Sequence, residues 1–176
     1  MLKPQDVLVL LKLISKGDQP WTNSSLAKEL GISSGEVYNS LERSAFARLY
    51  DRQHRHVRST LLEEFIVHGV PYAFPVQRGE LTRGIPTSHA ASPLVEILKN
   101  SQLNWPPVWP DPNGPVRGYA LMPLYRSVPI AARADSRLYE LLALVDAIRE
   151  GRPREKDLAI RELHNRLQEG TSFRYA

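Results

Sequence analysis

The chain has 176 residues, 42% of them apolar, no cysteine, and a formal charge of +4. That length can bury an ordinary core in one or at most two domains, and the lack of cysteine excludes disulfides, thiol nucleophiles and cysteine-ligated zinc. With no eighteen-residue apolar run and no signal-like N-terminus, the expectation is a soluble, cytoplasmic protein with no membrane partner.

Between Pro4 and Gly17, Val7, Leu8, Leu10, Leu11 and Ile14 recur at helical spacing and leave Lys3, Lys12 and Lys16 for the outer face. Residues 24 to 41 read as a helix, a glycine turn and a second helix: Leu26 and Leu30 lie four apart on the first, Val37 and Leu41 four apart on the second. Ala27 is small where the two would cross, and Ile32 joins the buried set. Gly31 suits a left-handed helix end, Ser33 or Ser34 can cap the second helix, and Glu36 is placed to complete a capping box with Ser33. An amphipathic tail follows in Ala45, Phe46, Leu49 and Tyr50, and then the basic run Asp51-Arg52-Gln53-His54-Arg55-His56-Val57-Arg58.

Over about residues 4 to 60 this order resembles the winged helix-turn-helix regulators, most nearly the MarR-like group. The resemblance implies three helices and a small β wing, a second helix that enters a DNA major groove, and a wing that meets the backbone. One departure stands out: Gln53-His54-Arg55 holds no glycine or other usual turn former where the wing should reverse. With Val37 and Leu41 facing the core, Ser33, Ser34, Tyr38, Asn39 and Glu42 project outward, and Gly35 permits close backbone approach. Asn39 has the chemistry to pair with adenine, and the serines can bond bases or phosphates from the helix N-terminus. The expected recognition-helix contacts are therefore Ser33, Ser34, Gly35, Tyr38, Asn39 and Arg43; the wing contacts are Arg52, His54, Arg55, His56 and Arg58. Glu42 is expected to pair with a neighbouring arginine.

Charge placement agrees with that assignment. Residues 1 to 60 carry +3, residues 61 to 130 are neutral, and residues 131 to 176 carry +1, with Arg43, Arg48, Arg52, Arg55 and Arg58 set against Asp51 alone between positions 43 and 58. A solvated hairpin that binds nothing is the plainer reading of such a run. The adjoining helix-turn-helix pattern shifts it towards double-stranded DNA, and the weakly basic reading helix towards a homodimer on two half-sites about ten base pairs apart.

Ser59 to Val70 reads as a further helix with Leu61, Leu62, Phe65 and Ile66 buried, the alternative being a strand through Phe65-Ile66-Val67. From Pro71 to Pro129 the chain holds eleven of its fourteen prolines and four glycines. Long helices and central strands are not expected there, yet Tyr72, Phe74, Trp105, Trp109, Tyr119 and Tyr125 supply apolar mass. The expectation is an irregular, ordered segment with short strands near Tyr72 to Val76 and Gly118 to Leu121. Arg78 to Gly84 is an anion clamp or a surface turn; it lacks the spacing of a phosphate-binding P-loop. Trp105 to Gly114 covers a core or lines a groove, with Asn113-Gly114 in a turn.

Leu138, Leu141, Leu142, Val145 and Ile148 form a helical stripe after a cap at Asp135-Ser136, and Leu158, Ala159, Leu163 and Leu167 a second one after Pro153. This helical hairpin can dimerise, support the irregular segment or dock another protein. Asp146, Arg149 and Glu150 are assigned to surface pairing. His54 and His56 with His68, His89, Glu63 or Glu64 lack any recognised metal-hydrolase spacing, so no catalytic residue, metal or cofactor is expected. The fold class is mainly α with a small β wing (α+β), in two parts: residues 1 to 70 as the winged unit and 71 to 176 as the Pro-rich segment plus hairpin. The functional expectation is a sequence-specific DNA-binding transcriptional regulator, a dimeric repressor; the alternative is a protein-interaction module such as the antitoxin-like partner of a toxin.

Overall fold

Helix α1 (Pro4–Lys16) begins at a proline that needs no amide donor, and the Asp6 carboxylate accepts the Lys3 backbone N–H at 2.8 Å. In the computed structural model, which describes residues 1–99 and 104–172, α1 is followed by α2 (Asn23–Leu30) and α3 (Ser34–Phe46). Thr22 caps α2 reciprocally with Ser25. Gly31 ends it in the left-handed region (φ 67°, ψ 36°), where a side chain would cost roughly 1 kcal/mol or more. Ser33 then caps α3 by accepting the Glu36 N–H at 3.1 Å. The expected capping box stays half formed, because the Glu36 carboxylate turns to Arg43 at 2.6 Å and Gln5 at 3.1 Å, where charge pairing outweighs a solvated backbone bond.

Strands β1 (Tyr50–Asp51) and β2 (His56–Val57) form an antiparallel hairpin with Tyr50 opposite Val57 and Asp51 opposite His56. Helix α4 (Ser59–His68) follows and buries Leu62 and Ile66, which settles that segment as helix rather than strand.

Beyond residue 70 the chain is more regular than its prolines imply. A short α5 (Val70–Ala73) occupies the place where a strand near Tyr72 to Val76 was expected. Strand β3 (Arg78–Pro86) then pairs with both β4 (Pro107–Pro110) and β5 (Val116–Leu121), and those two pair in parallel, closing a three-stranded sheet on itself. The expectation that central strands are excluded is thus corrected. Proline occurs only at the last position of β3 and the two ends of β4, so most ladder donors survive. Closure also requires Gly118, since a Cβ there would strike the Pro106 carbonyl oxygen. Helices α6 (Leu94–Leu98) and α7 (Val128–Ala134) were not foreseen. Asp111 to Gly114 closes the turn between β4 and β5, with the Gly114 N–H on the Asp111 carbonyl at 3.0 Å.

The last two helices are α8 (Ser136–Glu150), capped by Asp135, and α9 (Pro153–Ser172). Every residue from Leu141 to Ile148 is buried, because α8 packs against α1, α4, α5, α7 and α9 together. A helix surrounded in this way needs apolar residues on every side, and Asp146 is the one exception in that stretch. Of the three roles open to this stripe, it takes the packing one: it is spent inside the molecule rather than left for a dimer or a partner, and Ala159, Leu163 and Leu167 of α9 join the same core. One continuous apolar cluster runs from Val7 on α1 to Leu167 on α9, across the change of architecture at residue 70. Lys12 is a further correction: instead of lying outside, it is buried under α8 and bonds Asp135 at 2.7 Å and Glu29 at 2.8 Å. Burial opposes its charge, but these two carboxylates outweigh burial and raise its pKa. The fold is α+β, predominantly helical, with two small sheets among the described residues.

Candidate nucleic-acid interface

Helix α3 buries Val37, Ser40, Leu41 and Ser44 and turns its other side to solvent. Ser33, Ser34, Gly35, Tyr38 and Asn39 are all exposed there, and no later segment of the described chain covers them. Gly35 has open space around it: an added Cβ would meet only Ser33 Oγ, at 3.9 Å. The fold itself gives no steric reason for glycine at that position, where it costs helix propensity of roughly 1 kcal/mol relative to alanine.

Arg43 leaves this set. Its guanidinium turns inward to Asp6, with Nη2 at 2.7 Å from Oδ1 and Nε at 2.9 Å from Oδ2, and also bonds Glu36 and Ser40. Asp6 is fully buried on α1, so the pair ties α3 to α1 and is unavailable to a ligand. Glu36 is correspondingly held below the ordinary carboxylate range, chiefly by its bond from Arg43. Counting outward helix positions identifies Arg43 as exposed; the acid that captures it sits 37 residues earlier, out of reach of local periodicity.

The hairpin carries the remaining cations. Arg52 pairs with Glu42, the partner expected for that glutamate. Arg55 occupies the left-handed region (φ 53°), which supplies the reversal that glycine usually provides. Trp21 helps to hold it: its guanidinium lies 4.2 Å from the Trp21 ring centroid and donates to the Trp21 carbonyl at 3.4 Å. Arg58 lies 3.7 Å from Asp51, and Arg48 is exposed at the foot of the hairpin. Within the turn, Asp51 Oδ1 accepts the His54 backbone N–H at 3.1 Å and Oδ2 lies 3.1 Å from His54 Nδ1. Those bonds, the backbone one foremost, hold the Asp51 carboxyl down at about 2. His56 is half-buried opposite Asp51, and its ring centroid is 6.0 Å from that of His54. A groove of about 550 Å³ separates this hairpin from the loop Gly17 to Trp21, lined by Asp18, Trp21, His54, Arg55 and His56 among others.

Two buried polar centres under the closed sheet escaped the sequence reading. Asp146, assigned to surface pairing, is instead 1% exposed and accepts bonds from Thr87 Oγ1 and Trp109 Nε1, each at 2.7 Å, and from Arg149 Nη1 at 2.8 Å. Burial raises its pKa, against the pull of Arg149 and the two neutral donors. One turn later Glu150 accepts from Ser88 Oγ and Tyr119 OH, each at 2.8 Å, and pairs with Arg78, while His89 Nδ1 lies 3.7 Å away. Burial pushes the Glu150 carboxyl up, but its neighbours at His89, Ser88, Tyr119 and Arg78 outweigh that and hold it at about 2. Ser88, at φ 55°, is strained into this position. Arg78 is thus a strand residue engaged by Glu150, and Arg83 donates to the Gly114 carbonyl at 3.3 Å, so the two arginines do not form an anion clamp. Asp146 and Glu150 take their bonds from Thr87, Ser88, Trp109 and Tyr119, on or beside the closed sheet, which makes these centres pins between sheet and α8. The signal was present as Thr87-Ser88-His89 and Asp146-Arg149-Glu150, separated by nearly 60 residues.

No helix among the described residues is long and apolar enough to cross a membrane. No family model, curated protein or solved structure matches the chain.

Proposed function

We propose that this protein is a DNA-binding transcriptional regulator of the winged helix-turn-helix kind, reading double-stranded DNA with α3 and steadying itself on the backbone with the β1–β2 hairpin. The observation that carries the reading is the exposed face Ser33, Ser34, Gly35, Tyr38 and Asn39, beside a hairpin bearing Arg52, Arg55 and Arg58. Ser33, Ser34, Tyr38 and Asn39 are neutral and able to hydrogen-bond, which suits base edges and phosphate oxygens, and the acid beside them, Glu42, is paired with Arg52. The open space at Gly35 and the N-terminus of a thirteen-residue helix suit close approach of a phosphate. Because Arg43 is withdrawn into the fold and Arg52 shares its charge with Glu42, one copy offers few phosphate contacts. A dimer on two half-sites doubles them, and repression follows where such a dimer blocks a promoter.

Selection of genomic fragments by the full chain tests this. One enriched sequence, lost in Asn39→Ala at unchanged thermal stability, is the expected outcome. Retention of no fragment, or equal retention of all by wild type and variant, would reject sequence-specific reading.

A protein-interaction module, such as an antitoxin-like partner, has one observation in its favour. Phe46 and Tyr72 are 88% and 81% exposed, and an apolar groove of about 610 Å³ runs along Leu2, Ala47, Leu49, Leu61 and Phe65. Both activities are compatible in one chain, since this groove and the α3 face are lined by different residues.

A further inference from the structure

We propose that Asp51, His54 and His56 form a binding site for a late first-row divalent metal ion of the zinc class, set in the turn of the β1–β2 hairpin. One donor atom from each of the three side chains lies within 4.8 Å of the other two. A tetrahedral ion with bonds of roughly 2.0–2.1 Å needs donors about 3.3 Å apart. The separation of 3.1 Å between Asp51 Oδ2 and His54 Nδ1 already meets that requirement. Bringing His56 to that spacing takes a side-chain rearrangement of up to about 1.5 Å from its half-buried place opposite Asp51.

The local fold explains why three donors within six consecutive residues converge. Antiparallel pairing sets Asp51 directly across from His56, and the left-handed Arg55 folds the turn so that His54 comes back over the pair. The carboxylate is also held in orientation: Oδ1 takes the His54 backbone N–H, which leaves Oδ2 directed at the imidazole. Outer hydrogen bonds of this sort fix a metal-binding carboxylate. Three protein donors leave room for water, and Asp18 lines the same groove as both histidines.

Neighbouring positive charge opposes a cation, and each of the three arginines already has a partner. Arg52 is paired with Glu42, and Arg55 is held on the Trp21 ring at the rim of the same groove. Arg58, 3.7 Å from Asp51, is the one that an ion would displace. Two imidazoles and one carboxylate select zinc, nickel, cobalt or copper over magnesium or calcium, which take oxygen donors.

The test uses the untagged full chain, metal-depleted and without DNA, so that its result is independent of the proposed regulatory role. Titration with Co2+, followed by its visible absorption and then by displacement with Zn2+, should show one equivalent per chain, unaffected by excess Mg2+. His54→Ala, His56→Ala and Asp51→Asn should each weaken binding at least tenfold, with far-UV circular dichroism unchanged. His164→Ala, on α9, should bind as wild type does. Absence of saturable Co2+ and Zn2+ uptake in the wild type, or uptake that survives in both histidine variants, would overturn the site.

Discussion

Replacing Arg43 by leucine separates the structural role of that side chain from a role on DNA. The guanidinium makes three bonds of 2.7 to 3.1 Å to the two oxygens of Asp6. It makes a fourth, of 2.6 Å, to Glu36. Asp6 is 0% exposed and would keep only the Lys3 backbone N–H. Stranding one member of a buried ion pair costs about 3–5 kcal/mol. The retained N–H and the new apolar contacts of leucine return about 1 kcal/mol, so a net loss of about 3 kcal/mol is expected. Against a typical total of about 5–15 kcal/mol, that is a large fraction of the stability. Urea unfolding at pH 7 reads it as a lower midpoint at unchanged slope. Asp6→Leu in the same chain should restore much of the loss, because the orphaned carboxylate is then gone. A loss below about 1 kcal/mol, or a fall in DNA affinity at unchanged stability, would refute this reasoning and return Arg43 to the duplex.

Two further outcomes follow from the pins beneath the sheet. Trp109→Phe removes the Nε1 bond to Asp146 while keeping most of the ring's burial, and should cost about 1.5–3 kcal/mol in the same urea assay. Glu150 titrates well below its ordinary 4.5, at about 2, so its contribution is complete above pH 4.5 and lost as the pH falls through 2. The stability advantage of wild type over Glu150→Gln should accordingly be constant from pH 7 to 5 and shrink between 4.5 and 2; an advantage that grows on acidification would contradict the assignment.

What the chain reveals before folding is what short-range periodicity encodes. The spacing of Leu26, Leu30, Val37 and Leu41 located α2 and α3, Gly31 located the turn between them, and Asp135, Gly151 and Pro153 bounded the last two helices. Misreadings arose wherever a distant residue decided the outcome. Lys12 and Arg43 look like surface cations until Asp135 and Asp6 are brought against them, and Asp146 looks like a surface acid until Thr87 and Trp109 arrive. Proline density misled about β3, because what matters to a ladder is which amides are lost, and here they lie at strand ends. Phe46, expected to continue an amphipathic face, points into solvent because the chain leaves the helix at Ala47 before the next element can cover it. At the candidate interface, the outward residues of α3 were legible from helical phase. The geometry of the hairpin was not, since Arg55 adopts a conformation usual for glycine and is held there by Trp21, 34 residues earlier.

The salt dependence of DNA binding tests the central claim most directly. Equilibrium affinity for an enriched fragment, measured from 50 to 300 mM salt, should fall along a straight line in log–log form for the wild type. In the double variant Arg52→Ala, Arg58→Ala the slope should be smaller by about 1–2 for each bound protomer, near 0.9 per phosphate contact removed, with Arg52 contributing the smaller share because Glu42 already pairs it. An identical line for both proteins, or no measurable binding at the lowest salt, would contradict the placement of this hairpin on a nucleic-acid backbone.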